Sequence, residues 1–154
     1  MKIGSKIKNF NAEMTGNSDF SLSDYQGKNV ILYFYPRDNT PGCTSEGEDF
    51  RDNYKLFQKK NTVIFGISKD SIKSHENFKE KFNFPFELIS DPDEKICNIF
   101  DVIKEKSMYG KKYMGIERST FLIDSSGKLV QEWRKVKVTG HAKEVLEAAK
   151  KLNS

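Results

Sequence analysis

The sequence predicts an α/β fold in which helices flank a central mixed, largely parallel β-sheet. Apolar runs typical of strands alternate with segments of helical periodicity, which is the pattern of strand–helix–strand units. Residues 30–35 are β-branched or aromatic except for Leu32, and the run is apolar on both faces, as in a central strand covered from both sides. Residues 119–123 and 129–133 are two further strand-like runs joined by a short turn, which predicts a hairpin.

The other elements follow from periodicity and from residues that favour helix starts. Thr40 and Pro41 predict a helix start after the first clear strand, and Phe50, Tyr54 and Phe57 give that helix one buried stripe. The remaining predicted elements are strands at 62–67 and 86–89, helices at 71–82 and 141–152, a helix opened by Asp91 as cap and Pro92 as first residue, a loop at 104–117, and a strand edge at 20–25 that runs into a turn or short helix.

Length, charge and cysteine content limit the class of protein. A chain of 154 residues predicts a single domain, 1–154. The net charge of +4 is spread among acidic residues without a basic block, so we expect no nucleic-acid partner. No apolar run reaches the length of a membrane span and the N-terminus lacks a signal peptide, so we expect no membrane partner and a reducing, cytoplasmic location. Two histidines and two cysteines without ligand spacing predict no metal site.

The most informative residue is Cys43, which falls in the first turn of the predicted helix directly after a central strand. The carboxyl ends of sheet strands are where α/β proteins bind ligands. The start of a helix offers unpaired N–H groups and a partial positive charge, which favour a thiolate over a thiol. The thiolate is the reactive form of cysteine, so this position predicts a nucleophilic or redox-active sulfur.

The pattern Pro36-x-x-x-Thr40-x-x-Cys43 is similar to the active-site motif of peroxiredoxins. The strings YFYPRDNTPGCTSEGEDFRD, SKDSIKSHENF, LISDPDEKICNIFDVIKEKSMYG and GIERSTFLID resemble the bacterioferritin comigratory protein branch, also called peroxiredoxin Q. The resemblance covers nearly the whole chain from about residue 3. It implies a thioredoxin-like fold and a thiol-dependent peroxidase that needs no cofactor.

The resemblance also implies a role for each motif residue. Cys43 matches the peroxidatic cysteine, which attacks a hydroperoxide and becomes a sulfenic acid. Thr40 matches the threonine that orients the peroxide, and Pro36 matches the proline that shields the thiolate. Arg118 matches the arginine that stabilises the thiolate and the developing charge on the peroxide oxygens. Glu46 matches a recurrent acidic position, and it also suits the first turn of a helix without any further role.

The step that resets the oxidised cysteine is open at this stage. Relatives carry a second, resolving cysteine at one of two positions, which here hold Glu48 and Lys79. Cys97 is either a small apolar core residue or the partner of Cys43 in a disulfide, and the disulfide requires local unwinding that Gly47 would ease. Two hypotheses follow: a one-cysteine mechanism with thioredoxin or a small thiol as reductant, and a Cys43–Cys97 disulfide reduced by thioredoxin.

Other classes use the same cysteine differently. A peroxide sensor would be oxidised at Cys43 without turnover. A thioredoxin-type reductase needs Cys-x-x-Cys, and position 46 is Glu. A cysteine protease needs a histidine beside Cys43, whereas His75 is expected to be a hydrogen-bonded structural residue and His141 to lie at a helix start. The branch favours a monomer, although dimers occur, and the preferred peroxide is left open between hydrogen peroxide and organic hydroperoxides.

Overall fold

The structure is a computed structural model and describes residues 1–152. It contains nine strands, four α-helices and a short 3₁₀ helix, Leu22–Tyr25, within the described residues. The strands are β1 Asn11–Met14, β2 Ser18–Ser21, β3 Asn29–Phe34, β4 Thr62–Ser68, β5 Glu87–Ser90, β6 Ile103–Met108, β7 Lys111–Ile116, β8 Ser119–Ile123 and β9 Leu129–Trp133. The helices are α1 Pro41–Lys59, α2 Ile72–Phe82, α3 Lys95–Ile99 and α4 His141–Leu152.

Seven strands form one mixed sheet in the order β2-β1-β5-β4-β3-β8-β9. Only β3, β4 and β5 run parallel, and every other neighbouring pair is antiparallel. The mixed sheet of the predicted α/β fold is confirmed, but "largely parallel" is wrong. Four of the six strand pairs are antiparallel, and two of them, β1–β2 and β8–β9, are joined by short turns that require antiparallel pairing.

Strand β3 divides the core into two layers, since all six of its residues are buried. Val30, Leu32 and Phe34 face one apolar layer, which also receives side chains of α3. Ile31 and Tyr33 face the other layer, which receives side chains of α1, α2 and α4. A central strand covered on both faces is therefore confirmed, and the sheet separates the two layers completely along β3.

The predicted starts of α1 and α2 are confirmed. Thr40 precedes α1 with extended backbone angles and Pro41 is the first helical residue, although the Thr40 side chain makes no capping hydrogen bond. Ser71 caps α2 by accepting a hydrogen bond from the Ser74 amide. Helix α1 buries Phe50 and Phe57 against the sheet, as its periodicity predicts.

The predicted start of α3 is wrong, because the helix begins at Lys95 instead of Pro92. The Asp91 carboxylate still serves the helix start, since it accepts hydrogen bonds from the Ile96 and Cys97 amides at 3.1 and 2.8 Å. Residues 92–94 form a turn in which Glu94 has a left-handed backbone conformation, φ 61°. The Asp91 side chain reaches across this turn. The helix therefore begins three residues after Pro92, and its first amides still bond to Asp91.

The predicted loop at 104–117 is also wrong, because these residues form the β6–β7 hairpin. Its turn residues Tyr109 and Gly110 both have positive φ, 52° and 78°, as two-residue hairpin turns require. Most of the hairpin is exposed, so no apolar alternation marks its strands. Strand β1, between β2 and β5, also lies outside the prediction for a similar reason, since only Met14 of its four residues is buried.

Candidate active site

Cys43 is the third residue of α1, and α1 follows the carboxyl end of β3 after a six-residue loop. Its side chain is almost fully covered, with 2% of the residue exposed. It lies in the layer formed by α1, α2 and α4. The first-turn amides of α1 lack helical acceptors, so this sulfur stands at the positive end of a helix.

Arg118 lies between β7 and β8 and reaches Cys43 through its guanidinium group. Its Nη2 donates to Cys43 Sγ at 3.4 Å, and its Nη1 donates to Glu46 Oε1 at 2.6 Å. The pairing of β8 with β3 puts Ser119 opposite Phe34, so Arg118 stands beside the chain end that leads to Cys43. A Cβ atom at Gly42 would lie 3.2 Å from Nη2, so the absence of a side chain there leaves room for the guanidinium.

Burial and ion pairing act in opposite directions on Arg118. Burial by itself would lower the pKa of the guanidinium, but the charges of Glu46 and Cys43 outweigh it and raise that pKa. The group therefore stays a cation beside the sulfur. Its planar fork allows two parallel contacts that a lysine ammonium could not make in the same geometry.

Glu46 is the buried acidic partner of this arginine, with 1% of the residue exposed. Burial raises the pKa of Glu46 from 4.5 to about 7, against the opposing effect of Arg118. Its second oxygen, Oε2, has no hydrogen-bond partner among the described residues. Glu46 therefore makes a structural contact to Arg118, and its charge depends on pH near neutrality.

The two other motif residues flank the loop between β3 and α1. Thr40 is half-buried, and its Oγ1 donates to the Arg37 carbonyl at 2.9 Å. Its backbone carbonyl accepts the first hydrogen bond of the helix, from the Thr44 amide at 2.9 Å. Pro36 is half-buried at the start of the loop. While it donates to Arg37, the Thr40 hydroxyl can still accept hydrogen bonds.

Cys97 lies on the opposite face of the sheet from Cys43. It is fully buried in the layer that contains α3, among Ile96 and Phe100, whereas Cys43 belongs to the other layer. Burial, and then the neighbouring Asp91, raise the pKa of the Cys97 thiol, so it remains protonated. The structure therefore does not bring the two cysteines together, and strand β3 lies between their layers.

Glu48 and Lys79 stand at the two positions where the family resemblance implies a resolving cysteine in relatives, and neither forms an ion pair with a described residue of the site. Glu48 pairs with Arg51 at 3.7 Å on the same helix. Lys79 on α2 pairs with Glu87 on β5.

The structure adds polar residues that the sequence prediction leaves out. Asp38, in the loop between β3 and α1, is bound by His75 of α2 and by Tyr35. His75 has partners on both ring nitrogens, which confirms its prediction as a hydrogen-bonded structural residue. His141 lies close to Thr120, with 2.8 Å between Nε2 and Oγ1. The position of Asp38 and Asp70 after neighbouring parallel strands is the signal in the sequence that could have found this cluster.

Lys106 of β6 is a second residue that the sequence prediction leaves out. Its stem packs over Gly115, where an added Cβ would lie 3.4 Å from Lys106 Cδ. Burial, and then the charge of Arg118, lower the pKa of this lysine, while the charge of Cys43 opposes them. The β6–β7 hairpin therefore brings a second cation near the Cys43 sulfur. A predicted loop at 104–117 gives no position for Lys106, so the sequence prediction could not include it.

Asp38, Asp70 and His75 are also the one group of metal-ligand type found in the described part of the chain, with ligand atoms within 4.8 Å of one another. Each of the three side chains already takes part in hydrogen bonds to protein groups. These contacts account for the cluster without an ion.

No described helix is both long enough and apolar enough to cross a membrane.

A cysteine at a helix start after a central strand, with an arginine donating to its sulfur, defines a thiol-based redox protein on a thioredoxin-like fold. The sequence profile of the AhpC/TSA family matches residues 3–132. Peroxiredoxin Bcp of Bacillus subtilis is 49% identical over 153 residues, covering 99% of this chain and 98% of the relative. Peroxiredoxin Bcp of Xanthomonas campestris is 53% identical over 137 residues, covering 89% and 86%.

Solved structures agree with the family match. Xanthomonas campestris bacterioferritin comigratory protein, described by its alkyl peroxide reduction activity, superposes with a TM-score of 0.90 at 50% identity, over 94% of this chain and 92% of that one. A mutant of Xylella fastidiosa PrxQ gives a TM-score of 0.94 at 46% identity, over 98% and 96%. The chain belongs to the AhpC/TSA family, in the Bcp or peroxiredoxin Q branch, and is a thiol peroxidase.

Proposed function

We propose that Cys43 is the peroxidatic cysteine of this peroxidase. Its thiolate attacks the terminal oxygen of a hydroperoxide, the S–O bond forms as the O–O bond breaks, and Cys43 becomes a sulfenic acid. The sulfur is oxidised by two electrons, and the departing oxygen takes a proton from solvent to leave as water or an alcohol. The observation that carries this proposal is the 3.4 Å contact from Arg118 Nη2 to Sγ at the start of α1.

The surrounding residues supply charge and orientation. Arg118 is a fixed cation whose guanidinium stabilises the thiolate and the negative charge that develops on the peroxide oxygens. Glu46 holds that guanidinium in place by accepting from Nη1. The Thr40 hydroxyl orients the peroxide at the helix start, and Pro36 shields the sulfur from bulk water. These roles need no metal and no prosthetic group, because the sulfur is itself the redox centre.

We propose that the substrates include organic hydroperoxides as well as hydrogen peroxide. The alkyl peroxide reduction activity of the Xanthomonas campestris relative supports this substrate class. We further propose that residues 1–154 form one domain that acts in the cytoplasm. A monomer is expected.

We propose a one-cysteine mechanism for resetting the enzyme. An external thiol, from thioredoxin or a small molecule, attacks the Cys43 sulfenic acid, forming a mixed disulfide and releasing water. A second thiol then reduces this disulfide and restores Cys43. The separation of Cys43 and Cys97 into layers on opposite faces of the sheet supports this route, because a disulfide needs Cα atoms within roughly 7 Å.

The test follows oxidation and turnover in wild-type protein, Cys43→Ser and Cys97→Ser. After one equivalent of peroxide, wild type should gain the mass of one oxygen, trapped by a sulfenic-acid reagent, and Cys43→Ser should consume no peroxide. Cys97→Ser should keep peroxide consumption, with thioredoxin and its reductase or with a small thiol, within about twofold of wild type. A loss of two hydrogens on oxidation would overturn the one-cysteine route. Oxidation without any turnover would favour a peroxide sensor.

A further inference from the structure

The loop between β3 and α1 is anchored by a buried carboxylate. Asp38 lies two residues before Thr40, and its side chain is 4% exposed. Tyr35 donates to Asp38 Oδ1 at 2.6 Å, and Ser74 Oγ donates to Oδ2 at 2.8 Å. His75 Nδ1 lies 2.7 Å from the same Oδ2. The first residue after β3 and two residues of α2 therefore fix one side chain of the loop.

The hydrogen bonds of His75 show that a proton lies between this histidine and Asp38. Nε2 lies 2.9 Å from the Ile89 carbonyl oxygen, which only accepts, so Nε2 carries a hydrogen. Nδ1 faces the Asp38 carboxyl oxygen at 2.7 Å, and one of these two atoms must donate to the other. The contact is thus a buried hydrogen bond between an acid and a base, and removing one side leaves the other unpaired in the interior.

The backbone of the loop is fixed as well. The Asp38 amide donates to Asp70 Oδ2 at 2.9 Å, and Ser68 Oγ donates to the same oxygen. Asn39 then takes a left-handed conformation, φ 61°, and delivers Thr40 to the start of α1. Because both the side chain and the amide of Asp38 are held, the position of Thr40 depends on this anchor.

We infer that His75 is a positioning residue for the peroxidatic site, acting through Asp38 on the loop that sets Thr40 and the first turn of α1. This inference rests on the proposed function of Cys43 and Thr40. His75 touches neither the sulfur nor the peroxide. It connects α2 and the β5 carbonyl of Ile89 to the loop, so it links the carboxyl ends of the parallel strands to the reacting sulfur.

Two substitutions at the same position separate positioning from mere stability. In His75→Asn the amide nitrogen replaces Nδ1 and keeps the contact to Asp38, whereas in His75→Gln it replaces Nε2 and keeps the contact to Ile89. Both variants should have a lower free energy of unfolding than wild type, measured by urea titration. The second-order rate of peroxide with reduced protein, measured in a single turnover, should fall about tenfold or more in His75→Gln and about threefold or less in His75→Asn. Equal losses of rate in the two variants would overturn the inference.

A second pair of variants covers the case in which His75→Gln does not fold. Tyr35→Phe removes the hydroxyl that donates to Asp38 Oδ1, and the ring remains in place. Tyr33→Phe is the matched control, since Tyr33 lies two residues away in the same core layer and its buried hydroxyl has no hydrogen-bond partner among the described residues. Tyr35→Phe should slow the peroxide reaction about threefold to tenfold, and Tyr33→Phe should not. An unchanged rate in Tyr35→Phe would contradict the inference.

The proposed function and this inference fail in different ways. If Cys43→Ser still consumed peroxide, the assignment of Cys43 would be wrong whatever the His75 variants did. If wild type reacted with peroxide through Cys43, and the His75 and Tyr35 variants reacted as fast as wild type, the proposed function would stand and only the positioning role of His75 would be wrong.

Discussion

Two buried titratable residues give this protein opposite responses to pH. Burial raises the pKa of Glu46 from 4.5 to about 7, even though Arg118 favours its ionised form. Burial lowers the pKa of His141 from 6.5 to about 4, and the charge of Glu144 opposes that effect. The folded protein therefore binds a proton at Glu46 that the unfolded chain releases, and it excludes a proton at His141 that the unfolded chain binds.

The signs of the two effects predict how stability depends on pH. Glu46 contributes stability that is complete below pH 4.5 and is lost as pH rises through about 7, an amount of roughly 3 kcal/mol. His141 contributes stability that is complete above pH 6.5 and is lost as pH falls through about 4. Between pH 4.5 and 6.5 the two contributions should largely cancel in the wild type.

Variants at the two positions test this cancellation. In Glu46→Gln, the free energy of unfolding should rise with pH between 4.5 and 6.5, because only the histidine effect is left. In His141→Gln, it should fall with pH up to about 7. Urea unfolding at half-unit pH steps measures both slopes relative to the wild type. If the wild-type and Glu46→Gln curves ran parallel, the Glu46 carboxyl would not hold its proton near neutral pH.

At the scale of the elements, helix α1 contains a glycine that packing requires. A Cβ atom at Gly47 would lie 2.4 Å from Phe84 Cζ. Two other rings hold Phe84 in place, since it stacks on Phe86 at 5.3 Å between centroids and meets Phe78 edge to face at 5.0 Å. The glycine therefore allows α1 to approach the aromatic cluster beside the sheet, and its effect on helix propensity is secondary.

This contact predicts the sign of a substitution that usually stabilises a helix. Gly47→Ala should destabilise the protein by about 1–3 kcal/mol, because overpacking outweighs a gain of about 1 kcal/mol in helix propensity. The exposed Ser45→Ala on the same helix is the control and should change stability by less than about 0.5 kcal/mol. Urea unfolding of the three proteins gives the comparison. A Gly47→Ala variant more stable than wild type would show that Phe84 yields.

The β6–β7 hairpin shows the limit of element prediction from sequence. Its strands alternate between two mostly exposed faces, so binary patterning carries no signal there, although its turn residues Tyr109 and Gly110 are of hairpin type. Strands β3, β4 and β8 are buried and apolar, and their runs identify them. Strands were predicted correctly where burial requires apolar residues, and they were missed where both faces of the strand are mostly exposed to solvent.

At the scale of the whole molecule, the sheet keeps the two cysteines in separate environments. Cys43 lies at a helix start with an arginine donating to its sulfur, whereas Cys97 is fully buried on the other face with a raised thiol pKa. A reagent reaches Cys97 only when the core that contains α3 opens, and such openings of a core cost a free energy close to that of global unfolding.

Labelling kinetics test this separation. In a Cys43→Ser background, alkylation of Cys97 in the folded protein should accelerate with urea along the slope of global unfolding. Alkylation of Cys43 in a Cys97→Ser background should depend much less on urea, because only the start of α1 must move. Fast labelling of Cys97 without urea would mean that its layer opens locally, and a disulfide with Cys43 would again deserve a test.

The sequence by itself determined the α/β class, the buried strands and the position of Cys43 at a helix start, because these depend on near neighbours: an apolar run, a helix-start proline and a cysteine two residues later. The family motif supplied Arg118 as its partner. Only the tertiary structure decided that Arg118 meets both Cys43 and Glu46, that Glu46 is buried enough to hold a proton, and that Cys97 faces the other layer. Those facts join residues more than seventy positions apart or depend on which side of a strand a chain crosses. Local propensity does not encode them, since strand order and packing are properties of the folded chain.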